Sequence, residues 1–82
     1  MHRFAFLSRH QPTPEQRVLA LLNQFKKEMQ KNGEYQEGKI KIDHTRKQIA
    51  DMSGLRVETV IRVMRRLYDR KVLIIQKGKV FY

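Results

Sequence analysis

Apolar residues recur every three or four positions through Val18, Leu21, Leu22, Phe25 and Met29, the period of a helix with one buried stripe. The stripe follows Thr13-Pro14-Glu15-Gln16, which reads as a helix start. Thr13 serves as N-cap, Pro14 sits at the first helical position where its missing N–H costs nothing, and Gln16 reaches back to complete a capping box. The helix is expected to run to about Lys31 and to stop at Asn32-Gly33. A polar loop with Glu34 and Glu37 fills residues 32–38. Lys39-Ile40-Lys41-Ile42 then alternates in the manner of a short half-buried strand.

The period returns to helical over residues 44–67, HTRKQIADMSGLRVETVIRVMRRL. Two short helices cross closely only where the contact residue is small and the turn admits an unusual backbone angle, and Ala50 and Gly54 meet these needs. Ile49, Met52, Leu55, Val60, Val63, Met64 and Leu67 supply the apolar faces. Thr45 with Gln48 makes a second capping box. His44 and Asp43 read as linker residues before it. Beyond the second helix, residues 72–76 form an apolar, β-branched run, followed by Lys77-Gly78 and by Lys79-Val80-Phe81-Tyr82, a hairpin signal. The predicted fold is α+β, mostly α: a winged helix-turn-helix of three helices, a short strand and a C-terminal β-hairpin wing. Residues 1–12 form an arm or hinge without a period, and residues 13–82 form the domain.

Composition narrows the function. Lys and Arg total 18 against 8 Asp and Glu in 82 residues, a net charge of +10, which points to a polyanionic partner. The charge is also segregated. On a helical wheel Glu58, Arg62, Arg65, Arg66 and Asp69 share one side, opposite Val60, Val63, Met64 and Leu67. Of the seven basic residues between positions 46 and 70, the five from Arg56 onward are all arginine, the side chain that forks onto guanine where lysine offers a point charge. The segment at about 56–70 is therefore the expected recognition helix in the major groove of double-stranded DNA.

A chain this short holds one modest core, which argues against a deeply pocketed enzyme. The histidines His2, His10 and His44 have no second ligand at metal spacing, and no phosphate loop or activated nucleophile is present. No catalytic residue, metal site or cofactor is expected. The absence of cysteine excludes disulfides and thiolate metal sites. No apolar run approaches the ~18 residues of a membrane span, and a cytoplasmic, DNA-accessible location is expected.

In element order and in motif placement, residues 13–82 resemble the C-terminal DNA-binding domain of the cyclic-AMP-receptor and fumarate-nitrate-regulator family of bacterial transcription factors. The most specific part is T-R-x-x-I-A-x-x-x-G from Thr45 to Gly54, followed by E-T-V-x-R from Glu58 to Arg62. The resemblance implies that Glu58 and Arg62 read bases. The chemistry agrees, since a glutamate accepts from the cytosine amino group and an arginine forks onto guanine O6 and N7. An i,i+4 pair between them is expected. Relatives often carry arginine or serine, and sometimes valine, at the position of Val57 and commonly a small residue at that of Ile61. Both residues are candidate base contacts through thymine methyls, or alternatively they lie against the domain. Arg56 lacks a capping side chain and is expected on a phosphate, with Thr45, Arg46, Lys47, Arg65 and Arg66. Lys77 and Lys79 have two readings, as wing contacts to phosphate or as charges that keep an edge strand soluble.

The resemblance further implies a G-containing, roughly palindromic operator of the TGA type and, in an intact regulator, a ligand-sensing β-barrel, a dimerising helix and contact with RNA polymerase. The Phe4-Ala5-Phe6-Leu7 run resembles the hinge that precedes this domain. An excised, mostly monomeric domain of a longer homodimeric regulator is the expectation, and a naturally short protein starting at Met1 is the alternative. Two competing functions stand beside it: a winged helix for protein assembly whose Arg62, Arg65 and Arg66 face meets an acidic partner, and a small plasmid-replication or phage DNA-binding protein.

Overall fold

A computed structural model describes residues 11–31 and 38–82 of the chain. The Phe4–Leu7 run and the Asn32-Gly33 stop lie outside the described residues. The first helix, α1, spans Pro14–Lys31 and buries Val18, Leu22 and Phe25. Its capping box forms as expected. The Gln16 N–H donates to Thr13 Oγ1 at 3.1 Å and the Thr13 N–H to Gln16 Oε1 at 2.9 Å.

Helix α2 spans Arg46–Ser53, and the box repeats: the Gln48 N–H donates to Thr45 Oγ1 at 3.1 Å and the Thr45 N–H to Gln48 Oε1 at 2.8 Å. Gly54 ends it with φ 71° and ψ 25°, the left-handed region where a glycine meets no Cβ penalty. The N–H groups of Gly54 and Leu55 both turn back to the Ala50 carbonyl. Helix α3, Val57–Asp69, buries Val60, Val63, Met64 and Leu67. It closes in the same manner, with the Lys71 N–H on the Tyr68 carbonyl at 3.0 Å and the Val72 N–H on the Leu67 carbonyl at 2.9 Å. Lys71, at φ 62°, occupies the left-handed position that glycine usually takes.

This closure shortens the expected strand at 72–76. Val72 caps the helix and Leu73 sinks into the core at 1% exposure, so the strand β2 is Ile74–Gln76. It pairs antiparallel with β3, Lys79–Phe81, through a two-residue turn with positive φ at Lys77 and Gly78, the primed geometry that suits the twist of a hairpin. The first strand, β1, is Lys41–Ile42 rather than the whole of 39–42. Ile40 nevertheless exchanges both backbone hydrogen bonds with Tyr82, at 2.8 Å each. The sheet order is β1-β3-β2, with Ile42 and Ile75 both opposite Val80. Three helices and this small sheet enclose one core, in the winged helix-turn-helix arrangement.

Two positions differ from the pattern-based reading. Met52 is 54% exposed: Ile49 and Ala50 define the inward side of the short α2, and the next inward place one turn on belongs to Ser53. The Ser53 hydroxyl donates back to the Ile49 carbonyl at 2.6 Å. His44 is more than a linker. Its ring stacks on Phe25 at 3.9 Å and 2°, which joins the start of α2 to α1.

Candidate nucleic-acid interface

The helix-turn-helix presents α3 with one side committed to the core and the other to solvent. Val60 and Leu67 are 0% exposed, so four buried apolar side chains fix the helix rotation. That rotation leaves Glu58, Arg62, Arg65, Arg66 and Asp69 exposed. Val57 is 36% and Ile61 49% exposed. Each keeps part of its apolar surface open to solvent.

Electrostatically the face is cationic. From Arg56 to Arg70 five arginines stand against Glu58 and Asp69, +5 − 2 = +3. The expected Glu58–Arg62 pair does not form. Among the described residues the ion pairs are Lys41–Asp43, Lys47–Asp51 and Arg70–Glu15. An exposed i,i+4 pair gains only a few tenths of a kcal/mol, about 0.3–0.5, so both side chains remain free toward solvent. Arg56, Arg62, Arg65 and Arg66 make no carboxylate pair among the described residues. Arg70 instead joins the end of α3 to the first turn of α1.

The remaining expected contacts flank this face. Thr45 is exposed as the N-cap of α2, Arg46 is its half-buried first residue, and Lys47 is exposed and lies 3.7 Å from Asp51. Arg56 is the N-cap of α3 and makes no side-chain cap hydrogen bond, so the first N–H groups of that helix have no capping side chain. Lys77 sits in the wing turn and Lys79 on β3, both exposed. Arg46 and Arg65 meet at an open depression of about 380 Å³ with Ile61, Tyr68, Asp69 and Ile75. Tyr68 and Ile75 carried no signal of their own in the sequence. Tyr68 follows Ile61 by seven residues, two helical turns, so the wheel places it on the same flank, whereas Ile75 arrives only through the tertiary fold.

Among the described residues no group of His, Asp and Glu has the arrangement of a metal site. No described helix is long and apolar enough to cross a membrane. The model of the Crp-like helix-turn-helix domain matches residues 16–81. The chain belongs to the Crp-like helix-turn-helix family. The match runs from the first turns of α1 through β3, so the wing belongs to the family unit together with α2 and α3. Crp-like membership makes DNA the partner and transcription regulation the setting. No curated protein and no solved structure matches the chain significantly.

Proposed function

We propose that residues 13–82 form a DNA-binding unit that reads double-stranded DNA in a sequence-specific way, with α3 lying in the major groove. Glu58 accepts from a cytosine amino group and Arg62 forks onto a guanine, while Val57 and Ile61 meet thymine methyls. Thr45, Arg46, Lys47, Arg56, Arg65, Arg66, Lys77 and Lys79 hold phosphates and set the register. The observation that carries this reading is the exposed face of α3, on which Arg62, Arg65 and Arg66 make no carboxylate pair among the described residues, opposite its buried apolar side. Resemblance to dimeric bacterial regulators supports a cytoplasmic homodimer in which two such units read two half-sites and contact RNA polymerase, each unit alone binding one half-site weakly.

Selection from random duplexes tests the reading. A G-containing half-site should be enriched, and Arg62→Ala should cost about 1–3 kcal/mol and relax preference at one guanine. Binding should weaken steeply with log salt. If Arg62→Ala keeps the full preference, base reading by Arg62 is wrong. If no sequence is enriched, the arginine face serves protein assembly instead.

A further inference from the structure

The depression beside α3 differs in chemistry from the base-reading face. Arg46 arrives from α2, Ile61, Arg65, Tyr68 and Asp69 from α3, and Ile75 from β2. Two guanidinium groups and one carboxylate give +2 − 1 = +1. That charge matches a phosphodiester, which carries a single negative charge, better than a terminal phosphate or a run of carboxylates. The rest of the lining is apolar, Ile61 and Ile75, with an amphipathic phenol between apolar and charged parts. Tyr68 is 46% exposed, and whereas Tyr82 donates to Asn23 at 2.6 Å, the Tyr68 hydroxyl has no protein partner among the described residues. A DNA strand offers the complementary sequence of groups, an apolar sugar face followed by a charged diester.

We propose that this depression seats one sugar-phosphate unit of the strand flanking the bases that α3 reads, with Tyr68 as a DNA contact. The Tyr68 hydroxyl donates to a phosphate oxygen that Arg46 and Arg65 also address. Its ring and Ile75 cover the deoxyribose, and Ile61 forms the border with the base-reading stretch. Asp69 limits the seat to one diester charge. A tyrosine suits this role because its contact area is large and few torsions are frozen on binding. The proposal rests on α3 being the recognition helix.

The test uses duplexes holding the half-site that the wild-type chain enriches, with a neutral methylphosphonate replacing one phosphate at a time. Binding is measured for wild type, Tyr68→Phe, Arg65→Ala and Arg62→Ala, with circular dichroism confirming each fold. Tyr68→Phe should weaken binding roughly five- to tenfold, the loss of one charge-assisted hydrogen bond at an open site. Its salt slope should stay unchanged because no charge is lost, whereas Arg65→Ala should lower the slope by about 1. At one phosphate the methylphosphonate penalty seen with wild type should shrink in Tyr68→Phe and in Arg65→Ala, each by the share of the contact removed, and persist in full in Arg62→Ala. The proposal is overturned if Tyr68→Phe binds within about twofold of wild type, or if its loss is the same on every substituted duplex. A lost guanine preference in Arg62→Ala then shows that base reading stands without the Tyr68 seat. Failure of the wild-type chain to enrich any duplex overturns both.

Discussion

Replacing Gly54 by alanine isolates the part that backbone geometry plays in the turn between α2 and α3. Gly54 holds φ 71° and ψ 25°, with its N–H on the Ala50 carbonyl. A Cβ built there meets only Arg17 Nη1 at 3.9 Å, ordinary contact with the end of a flexible side chain. No steric overlap contributes, and the cost reduces to holding an L-residue in the left-handed region, about 1–2 kcal/mol. Against this, alanine restricts the unfolded chain more than glycine does, an effect that by itself favours folding by about 0.4–1 kcal/mol. The net expectation is a loss of about 1 kcal/mol, which in a domain of this size lowers Tm by about 4–8 °C. Gly54→Asn should fall between the two, because asparagine enters the left-handed region at lower cost. Urea unfolding followed by circular dichroism gives the order, with the slope m unchanged across the set. A loss above about 3 kcal/mol for alanine would mean that α1 or α3 needs the empty Cβ space, an overpacking cost. An unchanged midpoint would mean that residue 54 does not hold this conformation.

Two further substitutions probe the supports of the interface. Thr45→Ala removes the oxygen that receives the Gln48 N–H at 3.1 Å and should cost about 1 kcal/mol in a thermal or urea melt, with Thr45→Ser restoring most of it; equal stability of the alanine and serine variants would show that the cap contributes nothing. His44→Phe keeps a ring stacked on Phe25 while deleting a buried Nδ1 that has no hydrogen-bond partner among the described residues. Its stability should be unchanged or raised by up to about 1 kcal/mol, and a comparable loss would mean that Nδ1 is satisfied in the folded protein.

The parts legible in the sequence are those whose interactions close within about one helical turn. Thr13 with Gln16 and Thr45 with Gln48 are separated by three residues and each box formed as its spacing implied, while Gly54 took the turn conformation expected of it. The Lys77-Gly78 turn is local in the same sense. What the pattern missed depends on distant partners. His44 meets Phe25 across 19 residues of chain, 44 − 25. Lys71 caps α3 in a conformation that its side chain does not favour, which cut short the strand expected from Val72 onward. In an eight-residue helix the inward direction rests on very few contacts, so Met52 was placed on the wrong side. The Glu58–Arg62 pair has the right spacing, but at the surface the gain from pairing is small against the entropy of holding two long side chains.

The burial of Val60, Val63, Met64 and Leu67 turns α3 so that Val57 and Ile61 stand at the border of its apolar side, each partly exposed. The two flanks of its charged centre then differ: Val57, Ile61 and Tyr68 lie on one, and Arg66 on the other. In the proposed complex phosphates line both walls of the major groove, so Val57, Ile61 and the Tyr68 ring would meet base methyls and sugar faces, while the Tyr68 hydroxyl and Arg66 would address phosphate oxygens. These contributions separate experimentally by their physical origin. An Arg66 contact to phosphate would release counterions and fade with added salt, whereas burial of Val57, Ile61 and the Tyr68 ring against DNA would be hydrophobic and would not weaken as salt rises. Affinity lost with salt would therefore measure the lysines and arginines on phosphate, and loss of the salt-resistant remainder on replacing Val57 or Ile61 by alanine would measure the apolar flank.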